Sequence, residues 1–189
     1  MRLVVGISGA SGAIYGVRLM EALRGLPEVE THLVMSDWAR RIIEEETRIS
    51  AAQLATLATH CHENDNLAAP ISSGSFLTEG MVVVPCSMKT LSAIAHSYSD
   101  SLLVRAADVT LKEGRRLVLV VRESPLHLGH LKLMVEVAQM GGIILPPMPA
   151  FYHRPLTVED IVVHTVGRIL DQWRLPHHLY RPWEGEEVR

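Results

Sequence analysis

Apolar residues along this chain follow two alternating rhythms. One is short and nearly continuous, as in residues 3–7, the mark of a strand covered on both faces. The other is longer and periodic: Ile14, Val17, Leu19, Ala22 and Leu23 recur at helical spacing. Together they predict strands at residues 3–7, 29–35, 81–85, 117–121 and 143–145. Helices are predicted at 13–24, 37–46, 50–58, from about 87, at 101–112, 126–139 and 157–173. Ser36 and Thr157 stand as helix N-caps, and Gly114 as a stop. The helix at 37–46 ends in Glu44, Glu45 and Glu46, an unfavourable charge for a helix carboxyl terminus. Residues 60–78, polar and serine-rich, read as the longest irregular segment.

Five strands separated by helices imply an α/β fold with a doubly wound, mostly parallel sheet and helices on both faces, of the Rossmann or flavodoxin-like kind. The pattern suggests one domain over residues 1–175 and a tail over 176–189, rich in Pro, His and aromatics.

Ligands of such sheets collect at the carboxyl ends of the strands. Those ends carry Ser8 to Gly12, Ser36, Pro85 to Thr90, Arg122 to Ser124, and Pro147 to Tyr152. The inventory is rich in hydroxyls and poor in carboxylates, which suits an anionic ligand. Gly6, Gly9 and Gly12 surround the first strand-to-helix turn, where free helix N–H groups favour a phosphate. The spacing is not Gly-x-Gly-x-x-Gly, and strand two ends in Ser36 rather than an acid that would hold a ribose diol. A mononucleotide therefore fits better than NAD. The hydroxyls of Ser87 and Thr90 open a second such turn, although they would serve equally as simple helix caps.

Bulk composition narrows the classes. With 189 residues, 48% of them hydrophobic, the chain can fill a core without a disulfide or structural metal. A net charge of −3 argues against a nucleic-acid-binding face. No apolar run approaches the ~20 residues needed to cross a bilayer. The amino terminus reads directly as a strand rather than a signal peptide, and Cys61 and Cys86 read as two reduced thiols, so a cytoplasmic location is expected. His60-Cys61-His62 lacks further ligands at zinc spacing and reads as a solvated loop; His127 and His130 read as surface or capping residues.

Several motifs in one order resemble the flavin prenyltransferase family of the UbiX type, formerly described as a subunit of aromatic-acid decarboxylases. They are Gly9-Ala10-Ser11-Gly12-Ala13, Ile71-Ser72-Ser73-Gly74-Ser75-Phe76, Pro85-Cys86-Ser87-Met88-Lys89-Thr90, Arg105-Ala106-Ala107-Asp108-Val109, Leu111-Lys112-Glu113, Arg122-Glu123 and Pro146-Pro147-Met148-Pro149-Ala150-Phe151-Tyr152. The resemblance spans nearly the whole chain. It implies transfer of a dimethylallyl group from dimethylallyl phosphate to reduced FMN, without a metal, giving a prenylated flavin for a separate aromatic-acid decarboxylase. It implies FMN contacts from Ala10, Ser11, Gly12, Ser36, Ser87, Met88, Lys89, Thr90 and Arg122. Tyr152 and Arg168 would bind the allyl phosphate, Lys112 would steady phosphate, and Glu123 with Ser11 would relay protons. The family forms large homo-oligomers, often dodecamers. The chain departs from the family pattern at Val121, at Leu133 and near Asn66, where an aromatic is missing.

Two other functions compete. A flavin-dependent cysteine decarboxylase would share the fold, but here the turn reads Pro-Cys-Ser-Met-Lys-Thr and no His lies between His32 and His60. A non-catalytic flavin carrier or accessory subunit would not need Lys112, Glu123, Tyr152 and Arg168 together.

Overall fold

The computed structural model describes residues 1–183 and 185. They fall into two compact units, Met1–Pro147 and Met148–Arg189. Of the predicted tail, residues 184 and 186–189 lie outside the described residues.

The first unit carries one sheet of six strands: β1 Arg2–Ile7, β2 Glu30–Met35, β3 His60–His62, β4 Gly80–Cys86, β5 Arg116–Val121 and β6 Ile143–Ile144. Their order is β3-β2-β1-β4-β5-β6 and every pairing is parallel. The intervening helices are α1 Ala13–Arg24, α2 Asp37–Glu46, α3 Ala51–Ala55, α4 Met88–Ala95, α5 Leu102–Lys112 and α6 Leu128–Gln139. The second unit is built on α7 Val158–Leu170, which opens with a Thr157–Asp160 capping box and passes into a 3-10 turn at Asp171–Trp173.

The doubly wound class predicted from the sequence is the one observed, with a sheet that is wholly parallel. The continuous apolar runs explain why. Residues of β4 are buried on both faces throughout, and each fully buried Val, Leu or Met contributes about 1.5–3 kcal/mol over its exposed state. On one face, Val4, Val34, Met81, Val83, Leu117 and Leu119 pack against Leu91 and Ile94 of α4, Leu103 and Ala107 of α5, and Val137 of α6.

One segment needs correcting. Residues 60–62, expected in a loop, form edge strand β3, with His32 opposite His60 and Val34 opposite His62. A three-residue polar strand shows no apolar periodicity, and short polar strands are how sheets blunt an edge. Smaller differences lie at termini. The helix expected from residue 126 begins at Leu128, because the His127 ring accepts a hydrogen bond from the Gly129 amide at 3.0 Å. Among the described residues, no helix is long and apolar enough to cross a membrane.

Candidate active site

Between β1 and β4 the strand order reverses, the switch point where open sheets bind ligands. A cavity of about 540 Å³ opens there, within the ~300–1,000 Å³ usual for ligand sites. Its wall takes Gly9 from the end of β1, Ser36 and Trp38 after β2, Ser87, Met88, Lys89 and Thr90 after β4, and Glu123 after β5. Six sequence-predicted residues thus meet at one cavity. Asn64, Asp100 and Ser101 also line it and carried no signal in the sequence. The Asn64 side chain accepts from the Leu103 amide at 3.1 Å and its carbonyl from the Leu102 amide at 2.7 Å, so it caps α5 from a distant loop.

Hydroxyls set the geometry of this floor. Pro85 supplies no amide hydrogen, and the β4–β5 register shifts between Val83 and Cys86. The freed Pro85 carbonyl accepts from the Ser8 amide at 3.2 Å and the Ser8 hydroxyl at 3.0 Å. Ser8 Oγ in turn accepts from the Ser87 amide at 2.8 Å, which fixes the β1 and β4 turns against each other. Ser87 caps α4, accepting from the Thr90 amide at 3.3 Å and donating to Thr90 Oγ1 at 3.1 Å. Ser36 caps α2 through the Ala39 amide at 3.1 Å. A cap uses the oxygen lone pair, so the Ser36 hydroxyl hydrogen is left for an acceptor in the cavity.

The glycine turn after β1 behaves otherwise. A Cβ at Gly9 would lie 2.5 Å from Trp38 Cβ, so only glycine lets α2 approach. Gly12 sits at φ 99°, and its amide and that of Ala13 donate to Glu46 Oε2 at 2.7 and 3.0 Å. The unfavourable acid at the end of α2 is thereby placed on the positive end of α1. Ala10, Ser11 and Gly12 are not on the cavity wall, and Ser11 is exposed. Glu46 was missed in the sequence because its charge signals a poor helix end and says nothing of the partner 34 residues away.

Arg122 is also off the wall. Its amide donates to the Cys86 carbonyl at 3.1 Å. Burial pushes the Tyr15 phenol above its ordinary pKa, and the Arg122 charge offsets part of that rise. Glu123 lines the cavity, with Oε1 accepting from the Ser124 amide at 2.9 Å. Lys112 is not brought to Glu123 within this chain. It is the last residue of α5, whose start lines the cavity and whose end leads to the amino end of β5, at the opposite end of the strands, and its ammonium donates to Glu113.

The second unit holds a separate pocket of about 690 Å³, lined by Tyr152, His164, Arg168, Tyr180, Pro182 and Trp183. His164 and Arg168, four residues apart on α7, share a helix face. The Tyr152 hydroxyl and His164 Nε2 are 2.9 Å apart. Arg168 donates to Asp171 Oδ2 at 2.9 Å and to the Tyr180 oxygen at 3.2 Å, while Tyr180 also donates to Asp171. His177, from the predicted tail, lies 3.0 Å from Asp171 Oδ1. Burial, together with the charges of His153 and Arg168, holds His164 below its ordinary pKa. Burial alone would raise the Asp171 carboxyl, but hydrogen bonds from Tyr180 and His177 bring it below the ordinary range. Tyr152 and Arg168, predicted to share a phosphate, do share a pocket.

Comparison with known proteins agrees with this geometry. Residues 1–168 match the Flavoprotein family. Flavin prenyltransferase UbiX of Escherichia coli (strain K12) is 58% identical over 186 residues, 97% of this chain and 98% of that protein. A crystal structure of a dodecameric FMN-dependent UbiX-like decarboxylase from Escherichia coli O157:H7 superposes with a TM-score of 0.96 at 57% identity, covering 98% of this chain and 100% of that one. The crystal structure of AnUbiX (PadA1) in complex with FMN and dimethylallyl pyrophosphate gives a TM-score of 0.96 at 49% identity over 98% of each chain. Strand order, cavity, pocket and relatedness along almost the whole length lead to one conclusion: this chain belongs to the flavin prenyltransferase family.

Proposed function

We propose that this prenyltransferase joins the dimethylallyl group of dimethylallyl phosphate to reduced FMN, and that a separate aromatic-acid decarboxylase uses the product. The observation that carries the reading is the pairing of functions in one chain. A hydroxyl-lined cavity at the switch point suits a flavin nucleotide, and a Tyr–Arg pocket suits a small phosphate.

The fit to FMN rests on donors aimed into the cavity. Ser36 keeps a free hydroxyl hydrogen, and Lys89 brings a cation to the wall. Reduced FMN supplies the electron-rich ring that accepts the allyl carbon. Departure of the phosphate develops negative charge, which Arg168 and the Tyr152 hydroxyl stabilise. Glu123 Oε1 is held by the Ser124 amide, leaving Oε2 to take the proton lost when the new bond forms. We assign Lys112 to the site of another copy, since α5 holds it toward the amino ends of the strands, away from its own chain's cavity.

A homo-oligomer, dodecameric like the relative above, accommodates that assignment. The second unit exposes Met148, Phe151, Leu156 and Val158, an apolar group that association would cover. Both ring nitrogens of His153 are buried without a hydrogen-bond partner there.

The test is single-enzyme turnover. The purified chain, reduced FMN and dimethylallyl phosphate are incubated, and the flavin is weighed by mass spectrometry. A flavin heavier by one dimethylallyl group is expected. Unchanged FMN, with the protein folded and FMN-bound, would overturn the reading in favour of a carrier.

A further inference from the structure

We propose that Glu30, His32 and His60 form a binding site for a borderline divalent metal ion of the zinc class, at the outer edge of the sheet and apart from the catalytic cavity. One candidate ligand atom from each lies within 4.8 Å of the other two. Glu30 Oε1 is 3.1 Å from His32 Nε2 and 3.4 Å from His60 Nε2. A tetrahedral zinc ion with ligands at ~2.0–2.1 Å sets them about 3.3 Å apart, so two of the three edges already have the required length. The third closes by rotation of His60, which is half exposed at the sheet edge.

Strand geometry makes the site. Glu30 and His32 are two apart on β2 and share a face, and the register sets His60 of β3 beside His32. Read along the chain, the histidine tract at 60–62 lacks partners at zinc spacing; they come from the neighbouring strand, where His32 lies 28 residues earlier. Both ends of the cluster are oriented from behind. Glu30 Oε2 accepts from Arg2 Nε at 2.9 Å, leaving Oε1 for the metal. His32 is almost fully buried, with the edge of Phe76 against its ring at a centroid distance of 5.1 Å. Its Nδ1 lies 3.0 Å from His62 Nε2. With Nε2 on the metal, Nδ1 carries the proton and donates to His62, the second contact that ligating imidazoles habitually make.

The ligand set chooses the ion. Two imidazoles favour zinc and its neighbours over magnesium or calcium, which prefer all-oxygen sites. Arg2 already balances the single carboxylate, so a hard cation gains little charge attraction here. Three protein ligands leave the fourth position to water. Glu30 and His60 each begin a strand, so the site lies toward the amino ends, opposite the cavity. Its effect is structural: it ties the three-residue β3 to β2, and an ion that binds only the folded state stabilises it by mass action.

The experiment uses tag-free full-length protein titrated with Zn²⁺ and, separately, Mg²⁺, by calorimetry and thermal melting. Co²⁺ absorption serves as a second readout. Expected are one tight equivalent of Zn²⁺, a raised melting temperature, no comparable effect of Mg²⁺, and the intense visible bands of four-coordinate cobalt. Glu30→Gln and His60→Ala, both surface changes, should weaken Zn²⁺ by about tenfold or more and abolish the cobalt bands, with far-ultraviolet circular dichroism unchanged. The double variant His127→Ala/His130→Ala removes another close imidazole pair and should leave tight Zn²⁺ binding intact. Zn²⁺ bound no more tightly than Mg²⁺ would overturn the proposal. So would tight binding that survives both Glu30→Gln and His60→Ala, or that disappears in the control.

Discussion

The cavity at the strand ends and the pocket beside α7 hold their polar groups by different means. At the cavity, the hydroxyls of Ser36, Ser87 and Thr90 bond to partners three residues away along the chain, and the buried Ser8 hydroxyl ties the β1 and β4 turns together. In the pocket, Tyr152, His164, Arg168, Asp171, His177 and Tyr180 hold one another chiefly through side chains. The first arrangement is rigid and neutral, suited to seating a large ligand. The second is charged and mutually dependent, suited to gripping a small anion by exchanging partners, because Arg168 has only to trade Asp171 for phosphate.

The largest expected effect falls in the cavity. Glu123→Gln should lower kcat by ~100-fold or more, the scale of lost acid–base work, while FMN binding stays near that of the parent chain. Quantified product formation at saturating substrates decides it, and near-normal turnover would remove Glu123 from the chemistry. In the pocket, Arg168→Ala should raise KM for dimethylallyl phosphate by about 10–100-fold, as for a lost charge-assisted hydrogen bond of about 1.5–3 kcal/mol. Tyr152→Phe should raise it less. Neither should change FMN affinity measured by flavin fluorescence; a parallel loss of FMN would erase the contrast between the two regions.

That contrast also explains what could be read from the sequence. The strands β1, β2, β4 and β5 and the caps Ser36 and Thr157 obey local rules, in which apolar continuity and a hydroxyl before a helix suffice. Four hydroxyl or neighbouring positions on the cavity wall, Ser36, Ser87, Lys89 and Thr90, follow from those strand ends. Edge strand β3 escaped because three polar residues have no period. Asn64 and Glu46 escaped because each caps a helix dozens of residues away. The grouping of Tyr152 with Arg168 came from family resemblance; nothing in local spacing joins a residue after the last strand to one on the last helix.

The turn at Gly12 is the intermediate case, local in sequence but completed by a distant acid. Glu46→Ala leaves the Gly12 and Ala13 amides at the start of α1 without their carboxylate and should cost about 0.3–1 kcal/mol in urea unfolding. Glu46→Gln, which keeps an acceptor, should cost less. If both are neutral, water serves the helix end as well as the carboxylate does. If FMN binds Glu46→Ala more tightly than the parent chain, the acid and the ligand compete for the same amides.

The smallest expected effect is a pH dependence seated in the pocket. His164 titrates in the folded protein below its ordinary value of 6.5, chiefly because burial disfavours the charged ring. Between the folded and unfolded values the unfolded chain binds the extra proton, so acidification favours unfolding. The stability contribution of neutral His164 is therefore complete above about 6.5 and declines as pH falls toward the folded value. His32 and His62 are shifted the same way, again first by burial, so the parent chain alone does not isolate the term. The measurement is the difference between parent and His164→Gln in urea midpoint across that range. Glutamine keeps a polar group near Tyr152 but does not titrate, and its stability should fall less steeply with acid than the parent's. Identical slopes would show that protonated His164 is tolerated in place, with Asp171 compensating the charge. The pocket would then hold a cation there as readily as a neutral ring, and its contrast with the fixed hydroxyls of the cavity would be sharper still.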